Sequence, residues 1–404
     1  MSRNLKAMYG LPEEVKFCKK CVISNQRPSS TIEFKNVKGE RKSVINFSHD
    51  GICSACIFHE EKEKNIDWDK RDMDLRSLLS KFKSKDGSYD VIVPGSGGKD
   101  SAYTAHILKY KYGMNPLTVT WAPHLYTDIG MKNFQEWMHT GGLDNILYTP
   151  NGKLHREMTK NAFHNLLHPF QPFIVGQRII GPAMAKRFGV KLVMYGENQA
   201  EYGNAIEENT NPIMNMDFFS SDDPLKMKFG GVSMQDYIAT GKYSLDDFTP
   251  YIPPNKNDLI ERGIEVHYLG YYLMWDPQEC YYYAVENTGF QANPERTEGT
   301  YSKYSSIDDK IDPFHYFTTL IKFGIGRCTY DASQEVRNGK ITREEAVYLV
   351  NKYDLEFPNK YFDEFLEYIS TSKDEFHKII DSHRSPHIWK KNENDEWELR
   401  NKLK

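Results

Sequence analysis

The segment Asp90-Val-Ile-Val-Pro-Gly-Ser96-Gly97-Gly98-Lys99-Asp100-Ser101 runs from an apolar strand, through clustered glycines, into a helix-forming stretch. Glycines let the backbone bend close to a ligand, and the free N–H groups of the new helix point at whatever sits there. Such a cup of donors suits phosphate oxygens. Two common glycine patterns are excluded by position. A kinase-type phosphate loop needs Ser or Thr directly after its Gly-Lys, and Asp100 follows Lys99 here. A dinucleotide fingerprint starting at Gly95 needs its third glycine where Asp100 stands. What remains is a Ser-Gly-Gly-x-Asp-Ser loop between a strand and a helix.

The chain around this loop alternates in the α/β manner. Short apolar runs at 91–94, 116–121, 145–148 and 191–195 read as buried parallel strands. Helical periodicity fills 100–112, 129–139, 154–167 and 175–188 between and beyond them. That spacing predicts a doubly wound parallel sheet with ligands at the carboxyl ends of its strands. The Asn-, Asp-, Pro- and Gly-rich stretch after Glu201, including Asn209-Thr-Asn-Pro212, reads as an insertion over the active site rather than another core layer. Residues 265–275 read as a strand pair, and Pro277 opens a helix. Helices continue over 313–353 and 360–382, and the charged tail 390–404 is expected to fray. The predicted units are 1–65, 66–205, 206–262, 263–355 and 356–404.

Composition bounds the partners. A formal charge of −4 gives no general attraction to nucleic acid or anionic membrane, and no run is long enough to span a bilayer. The first residues, Met-Ser-Arg-Asn-Leu-Lys-Ala-Met, lack a signal peptide's apolar stretch, so a cytoplasmic setting is expected. In a reducing compartment the pairs Cys18/Cys21 and Cys53/Cys56 argue for a metal rather than disulfides. Four thiolates on two knuckles suit a tetrahedral zinc ribbon with a structural role, an iron–sulfur cluster being the alternative. Cys280 and Cys328 read as packed thiols, and the charged run 60–71 as a solvated linker or helix face.

The loop resembles the pyrophosphate loop of the ATP pyrophosphatases, which cleave ATP between its α- and β-phosphates. With Phe17-Cys-Lys-Lys-Cys-Val22, Asp50-Gly-Ile-Cys-Ser-Ala-Cys56, Tyr195-Gly-Glu-Asn-Gln-Ala-Glu-Tyr202, Arg296-Thr-Glu-Gly-Thr-Tyr-Ser-Lys303, Gly326-Arg-Cys-Thr-Tyr-Asp331 and Glu335-Val-Arg-Asn-Gly339, the chain resembles the N-acetyl sugar amidotransferases. These form the branch of that superfamily associated with O-antigen and pseudaminic-acid-type sugars. The resemblance implies an adenine-nucleotide α-hydrolase sheet, a zinc-ribbon-like N-terminal module and a helical C-terminal region.

It also implies ATP as substrate, with magnesium, and a nucleotide-linked N-acetyl sugar as acceptor. Ser96, Gly97, Gly98 and Ser101 would then hold pyrophosphate. Lys99 stands at a variable position of the motif and lies beside the phosphates or turns to solvent. Asp100 binds magnesium or orients the loop. Thr120 and Trp121 meet adenine through backbone groups, with a core indole as the other use of Trp121. Gly196 and Asn198 form a second nucleotide-side motif, unless Asn198 is a helix cap, and Glu197 or Glu201 adds a metal ligand. Lys303 would reach phosphate as a mobile cation, and Arg296 and Arg327 are candidates for the nucleotide or an acidic sugar.

No cysteine has a glutaminase-like setting, and no mature Cys nucleophile begins the chain at Met1-Ser2-Arg3, so ammonia is expected from a separate glutaminase subunit. Two rival readings are a tRNA-modifying pyrophosphatase and a zinc-ribbon adaptor carrying an inactive nucleotide fold. The acidic balance and the absence of a basic arm weigh against the first. The intact Ser96, Asp100 and Ser101 weigh against the second.

Overall fold

The computed structural model describes residues 5–203 and 211–404. Met1-Ser2-Arg3 and the first residues of the expected insertion, with Asn209 and its neighbours, lie outside the described residues. Nine strands follow in chain order among the described residues: β1 (Val91–Pro94), β2 (Pro116–Trp121), β3 (Asp144–Tyr148), β4 (Leu192–Tyr195), β5 (Lys228–Phe229), β6 (Val232–Ser233), β7 (Glu265–Tyr268), β8 (Trp389–Lys391) and β9 (Trp397–Leu399). Five of them form one all-parallel sheet in the order β3-β2-β1-β4-β7, with Ile92 opposite both Leu117 and Val193.

The chain winds outward from β1 through β2 to β3, then returns to lay β4 on the other side of β1. The switch point therefore falls between β1 and β4, where a parallel sheet leaves a crevice at its carboxyl ends. Alternate residues of β1 face opposite layers, as the pleat requires. Val91 and Val93 pack toward α2 (Trp68–Phe82), α3 (Lys99–Tyr110) and α4 (Asp128–His139), whereas Ile92 packs toward α5 (Gly152–Leu166) and α6 (Gln171–Phe188). α4 starts at Thr127, whose hydroxyl accepts from Gly130 N–H, and α5 starts at Asn151, which caps two N–H groups. α6 packs tightly under the sheet because Gly176 has no side chain: a Cβ there would stand 2.2 Å from the Trp121 indole.

Several expectations are corrected. Residues 211–262, with the β5–β6 hairpin, α7 (Met234–Ala239) and α8 (Lys256–Glu261), do not cover the glycine loop. They add a layer on the α5/α6 face, where Phe229, Tyr237, Phe248 and Tyr251 are buried in the same core. Gln171 fastens this layer by donating to Lys228 O and accepting from Gly230 N–H. Aromatic spacing, not polar content, decides its place. Residues 265–275 supply one strand, β7, followed by the short helix α9 (Leu269–Tyr272), because Leu269 and Tyr272 turn into the α2/α3 core.

α10 (Pro277–Thr288) packs on α3, and α11 (Asp312–Phe323), α12 (Arg327–Arg337), α13 (Arg343–Tyr353), α14 (Phe362–Tyr368) and α15 (Lys373–Ser382) complete the C-terminal region. The charged tail does not fray. It closes as the β8–β9 hairpin, with Trp389 buried and its indole N–H donating to Ile321 O at 2.8 Å.

The cysteine-bearing segment is not a free-standing module either. Its core contains Ile325 and packs against Tyr330 and Val336, and Ser54 donates to Gly203 O at 3.1 Å. The charged run 60–71 spans the end of α1 (Ser54–Lys64) and the start of α2, and it is not wholly solvated: Lys62 is buried and ion-paired to Glu201. No helix among the described residues is long and apolar enough to cross a membrane.

Candidate active site

The glycine loop sits in the switch-point crevice. Gly97 has φ +84°, and a Cβ there would lie 2.8 Å from Phe134 Cα, so only glycine fits. Gly95 lacks room for a different reason: a Cβ would meet Ser101 Cβ at 2.1 Å. The loop thus folds flat onto the start of α3 and leaves the first N–H groups of that helix at the cavity wall. That cavity, of about 570 Å³, is lined by Ser96, Gly98, Ser101, Trp121, Gly196 and Glu197 among others. A glycine-backed cup of this kind at a helix N-terminus suits an anion such as phosphate.

A second cavity of about 520 Å³ adjoins it and shares Asp100, Gln177, Glu197, Tyr202, His315 and Tyr316 with it. One wall of the second cavity comes from the cysteine-bearing segment through Arg27, Ile45 and Ala55. The other comes from α12 through Arg327, Asp331 and Arg337. A smaller pocket of about 190 Å³ joins Ser96–Asp100 to Asp308 and Arg327.

Electrostatics concentrate where the two cavities meet. Asp100 pairs with Lys99 at 2.6 Å, so Lys99 turns inward to its neighbour rather than to solvent. Burial, with Asp100 nearby, pushes Glu197 up to about 7, and the Tyr202 hydroxyl donates to it. Burial likewise pushes Asp312 up to about 7, against the pull of Arg327. The Arg327 guanidinium lies 3.1 Å from Asp331 and 4.3 Å above the Tyr316 ring. His315 is stacked on Phe170, and burial moves its pKa well below the usual histidine range.

The residues picked from the sequence divide into two groups. Ser96, Gly97, Gly98, Lys99, Asp100, Ser101, Trp121, Gly196, Glu197 and Arg327 come together around the cavities. Others do not. Lys303 is exposed, its Nζ donating to Pro294 O at 2.9 Å, because the 297–302 turn sends Ser302 and Tyr304 inward and Lys303 outward. Arg296 is held away in a two-pronged pair with Glu356 at 2.6 and 2.7 Å. The Glu201 carboxylate takes Lys62 at 2.9 Å and is not offered to the loop. Thr120 is buried in the sheet, accepting from Asn145. Asn198 caps the 3₁₀ turn Gln199–Tyr202 by accepting from Ala200 N–H. Trp121 is a core indole, edge-on to Tyr251 at 5.0 Å, although its ring also borders the loop cavity.

Sequence reasoning missed Asp308, Asp312, Arg27 and Arg337. The Ser96 hydroxyl donates to Asp308 at 2.8 Å. Asp308 arrives because its neighbours are stitched to the loop after β2: His124 N–H donates to Asp309 at 2.8 Å, and the Thr127 hydroxyl donates to Ile307 O. The doubled acid Asp308-Asp309 was the available signal. Arg337 lay inside a quoted motif.

The four cysteines converge. Their sulfurs are buried, free of disulfides and all within 4.8 Å of one another, with Cys18–Cys56 at 3.9 Å and Cys21–Cys53 at 3.7 Å. A tetrahedral ion with bonds of about 2.3 Å has sulfur–sulfur edges near 3.8 Å, so the set fits a metal ion. Backbone N–H groups of Lys20, Cys21 and Cys53 point at Cys18 Sγ, as a thiolate requires.

Comparison with known proteins adds the following. Residues 298–404 match the family model described as LPS biosynthesis protein WbpG-like, C-terminal domain. An uncharacterized protein from Methanocaldococcus jannaschii is 33% identical over 78 residues, 19% of this chain. That match covers 27% of the relative, so the chain spans about a quarter of its length. Similar solved structures include an NH3-dependent NAD synthetase from Campylobacter jejuni at 15% identity, covering 32% of this chain and 56% of that one, with a TM-score of 0.26. An NMN synthetase from Francisella tularensis, at 14% identity, covers 72% of this chain and 94% of its own, with a TM-score of 0.31. The U34-tRNA thiolase NcsA from Methanococcus maripaludis, solved with its 4Fe–4S cluster, is 13% identical over 89% of this chain and 95% of that one, with a TM-score of 0.30. Over residues 298–404 the chain is therefore similar to the C-terminal domain of WbpG-like LPS biosynthesis proteins, carried here on a parallel α/β sheet with a glycine loop at its switch point.

Proposed function

We propose that this chain is an ATP-dependent, AMP-forming amidotransferase that converts the acetamido group of a nucleotide-linked N-acetyl sugar into an acetamidino group, for surface polysaccharide biosynthesis. The observation that carries the reading is the adjacency of two cavities, a phosphate-type cup and a polar second chamber, which share Asp100 and Glu197 in their walls. The match of residues 298–404 to an LPS biosynthesis domain supports the pathway class.

The chemistry needs two neighbouring sites. An acetamide is a poor electrophile because its nitrogen lone pair is delocalised into the carbonyl. Its oxygen attacks the α-phosphorus of ATP, pyrophosphate leaves, and the amide oxygen becomes an adenylyl leaving group. Ammonia adds to the activated carbon, a proton is lost, and AMP departs with the former amide oxygen. No protein nucleophile is needed, so the protein contributes orientation and charge stabilisation. Ser96, Ser101 and the N–H groups opening α3 would hold the leaving pyrophosphate. Asp100 and Glu197 would hold magnesium, which when bound would offset the phosphate charge.

In this reading the ammonia comes from a separate glutaminase subunit, which is supported by the convergence of the four N-terminal cysteines on one cluster and the burial of Cys280 and Cys328. The direct test is mass spectrometry of UDP- or CMP-linked N-acetyl sugars after incubation with ATP and ammonium. A gain of ammonia with loss of water is expected. An unchanged sugar across the panel, with ATP consumed, would refute the acceptor class.

A further inference from the structure

The second cavity is lined by a cation that has no ion-pair partner among the described residues. Arg27, from the cysteine-bearing segment, is 7% exposed and lines the cavity. The one hydrogen bond of its guanidinium among the described residues goes to Pro28 O at 3.1 Å, and the guanidinium lies 5.9 Å from the Tyr330 ring centroid. No carboxylate of the described residues pairs with it. Acids of the same cavity have other partners, among them Asp331 with Arg327, Asp276 with Lys340, and Glu335 with the Tyr301 and Tyr304 hydroxyls.

Arg337 is a second buried guanidinium in the same wall. It differs in having its own partners, Cys21 Sγ at 4.0 Å and Glu201 O at 3.0 Å, so the sulfur cluster supplies its counter-charge. Burial works most strongly against the charge of Arg27 and the neighbouring Arg337 adds repulsion, only partly offset by Tyr330, Tyr202 and Cys53. A largely buried guanidinium with four spare N–H donors opening on a cavity is a ready site for an anion.

We propose that Arg27 is a specificity-determining residue that grips an anionic oxygen pair, of phosphate or carboxylate chemistry, on the acceptor substrate in the second cavity. The inference rests on the amidotransferase reading for the identity of the acceptor. It gives the cysteine-bearing segment a share in substrate recognition, because its folding sets the wall that carries Arg27. A planar guanidinium matches either group through two parallel hydrogen bonds.

The test measures equilibrium binding to the full metal-loaded chain with the ATP cavity saturated by α,β-methylene-ATP. The probes are UDP-N-acetylglucosamine and its 6-carboxylate, UDP-N-acetylglucosaminuronate. Arg27→Gln should weaken binding roughly tenfold to a hundredfold, as expected for loss of a charged hydrogen-bonded contact. Affinity for the ATP analogue and metal content should stay unchanged. Weakening of both probes assigns Arg27 to the diphosphate, and weakening of the uronate alone assigns it to the carboxylate. Unchanged binding of both probes to Arg27→Gln overturns the proposal while leaving the enzyme reading intact. Failure of the unmodified chain to bind either probe, with the ATP analogue bound, defeats the nucleotide-sugar reading and the proposal with it. If Arg27→Gln does not fold, Arg27→Lys serves, since the point charge keeps the cavity wall but loses the fork. It should bind severalfold more weakly, and equal affinity would count against the assignment.

Discussion

Single residues decide what the cavities can do. Ser96 shares its hydroxyl with Asp308 at 2.8 Å, so its oxygen is fixed at the cup wall before any nucleotide enters. For Ser96 to serve the leaving group its single hydroxyl proton must swing from Asp308 to a phosphate oxygen, and Ser96→Ala, which removes it, should lower turnover about tenfold to a hundredfold. Nucleotide affinity should change only a few-fold, and steady-state kinetics beside equilibrium binding would separate the two. Asp100→Asn should keep the fold and lose most magnesium-dependent activity. A residue outside the site offers a cleaner electrostatic test. Lys322 is buried with its Nζ donating to Leu166 O, and burial pushes its pKa down to about 7. Between pH 7 and the ordinary lysine range the unfolded chain binds the extra proton, so stability should rise with pH across that window and be lowest below it. Lys322→Met should raise the melting temperature most at pH 6 and progressively less toward pH 10. A constant difference would mean that the lysine stays charged in the fold.

Elements show which features were legible in the sequence. The four predicted strands of the core and the helices between them sit within a few residues of their predicted ranges, because short apolar runs alternating with helical periodicity leave few other solutions. The fifth strand was misread as a hairpin. Glu265–Tyr268 carries the strand pattern, but its continuation turns into a short helix for tertiary reasons, to bury Leu269 and Tyr272. The layer after residue 211 was misplaced because turn residues dominate its composition, whereas four widely spaced aromatics dominate its energetics. Packing at this scale is testable at α6. Gly176→Ala should cost roughly 1–3 kcal/mol, the usual penalty of overpacking, since its Cβ would enter the Trp121 ring. Urea denaturation should show a lower midpoint at unchanged slope. An unchanged midpoint would mean that α6 can slide away from β2 without loss.

At the scale of the whole molecule, sequence motifs separated by hundreds of residues share one site, and linear reading could not rank them. Arg327, Lys303 and Arg296 looked equivalent as candidates, yet only Arg327 faces the cavities, because α12 begins there while Lys303 and Arg296 are turned to other partners. Arg27 and Arg337 enter through the docking of the cysteine-bearing segment on α12, a contact between segments far apart in the chain that no local pattern signals. That docking predicts coupling. Cys53→Ser should reduce bound metal and lower solubility, because the four sulfurs form the core of that segment. Metal analysis of the purified chain should find about one zinc ion per chain for a closed four-thiolate site. Ammonium salts should support turnover by the chain alone, more so at alkaline pH as NH3 replaces NH4+, and glutamine should serve only with the partner subunit present. The central claim, that the glycine loop holds the pyrophosphate end of ATP while an acceptor in the adjoining cavity takes the adenylyl group, is tested most directly by phosphorus NMR of one reaction. That reaction contains the full chain, ATP, magnesium, ammonium and a nucleotide-linked N-acetyl sugar. AMP and pyrophosphate, formed in equal amounts and only with the sugar present, are the predicted products; ADP and orthophosphate would contradict the account.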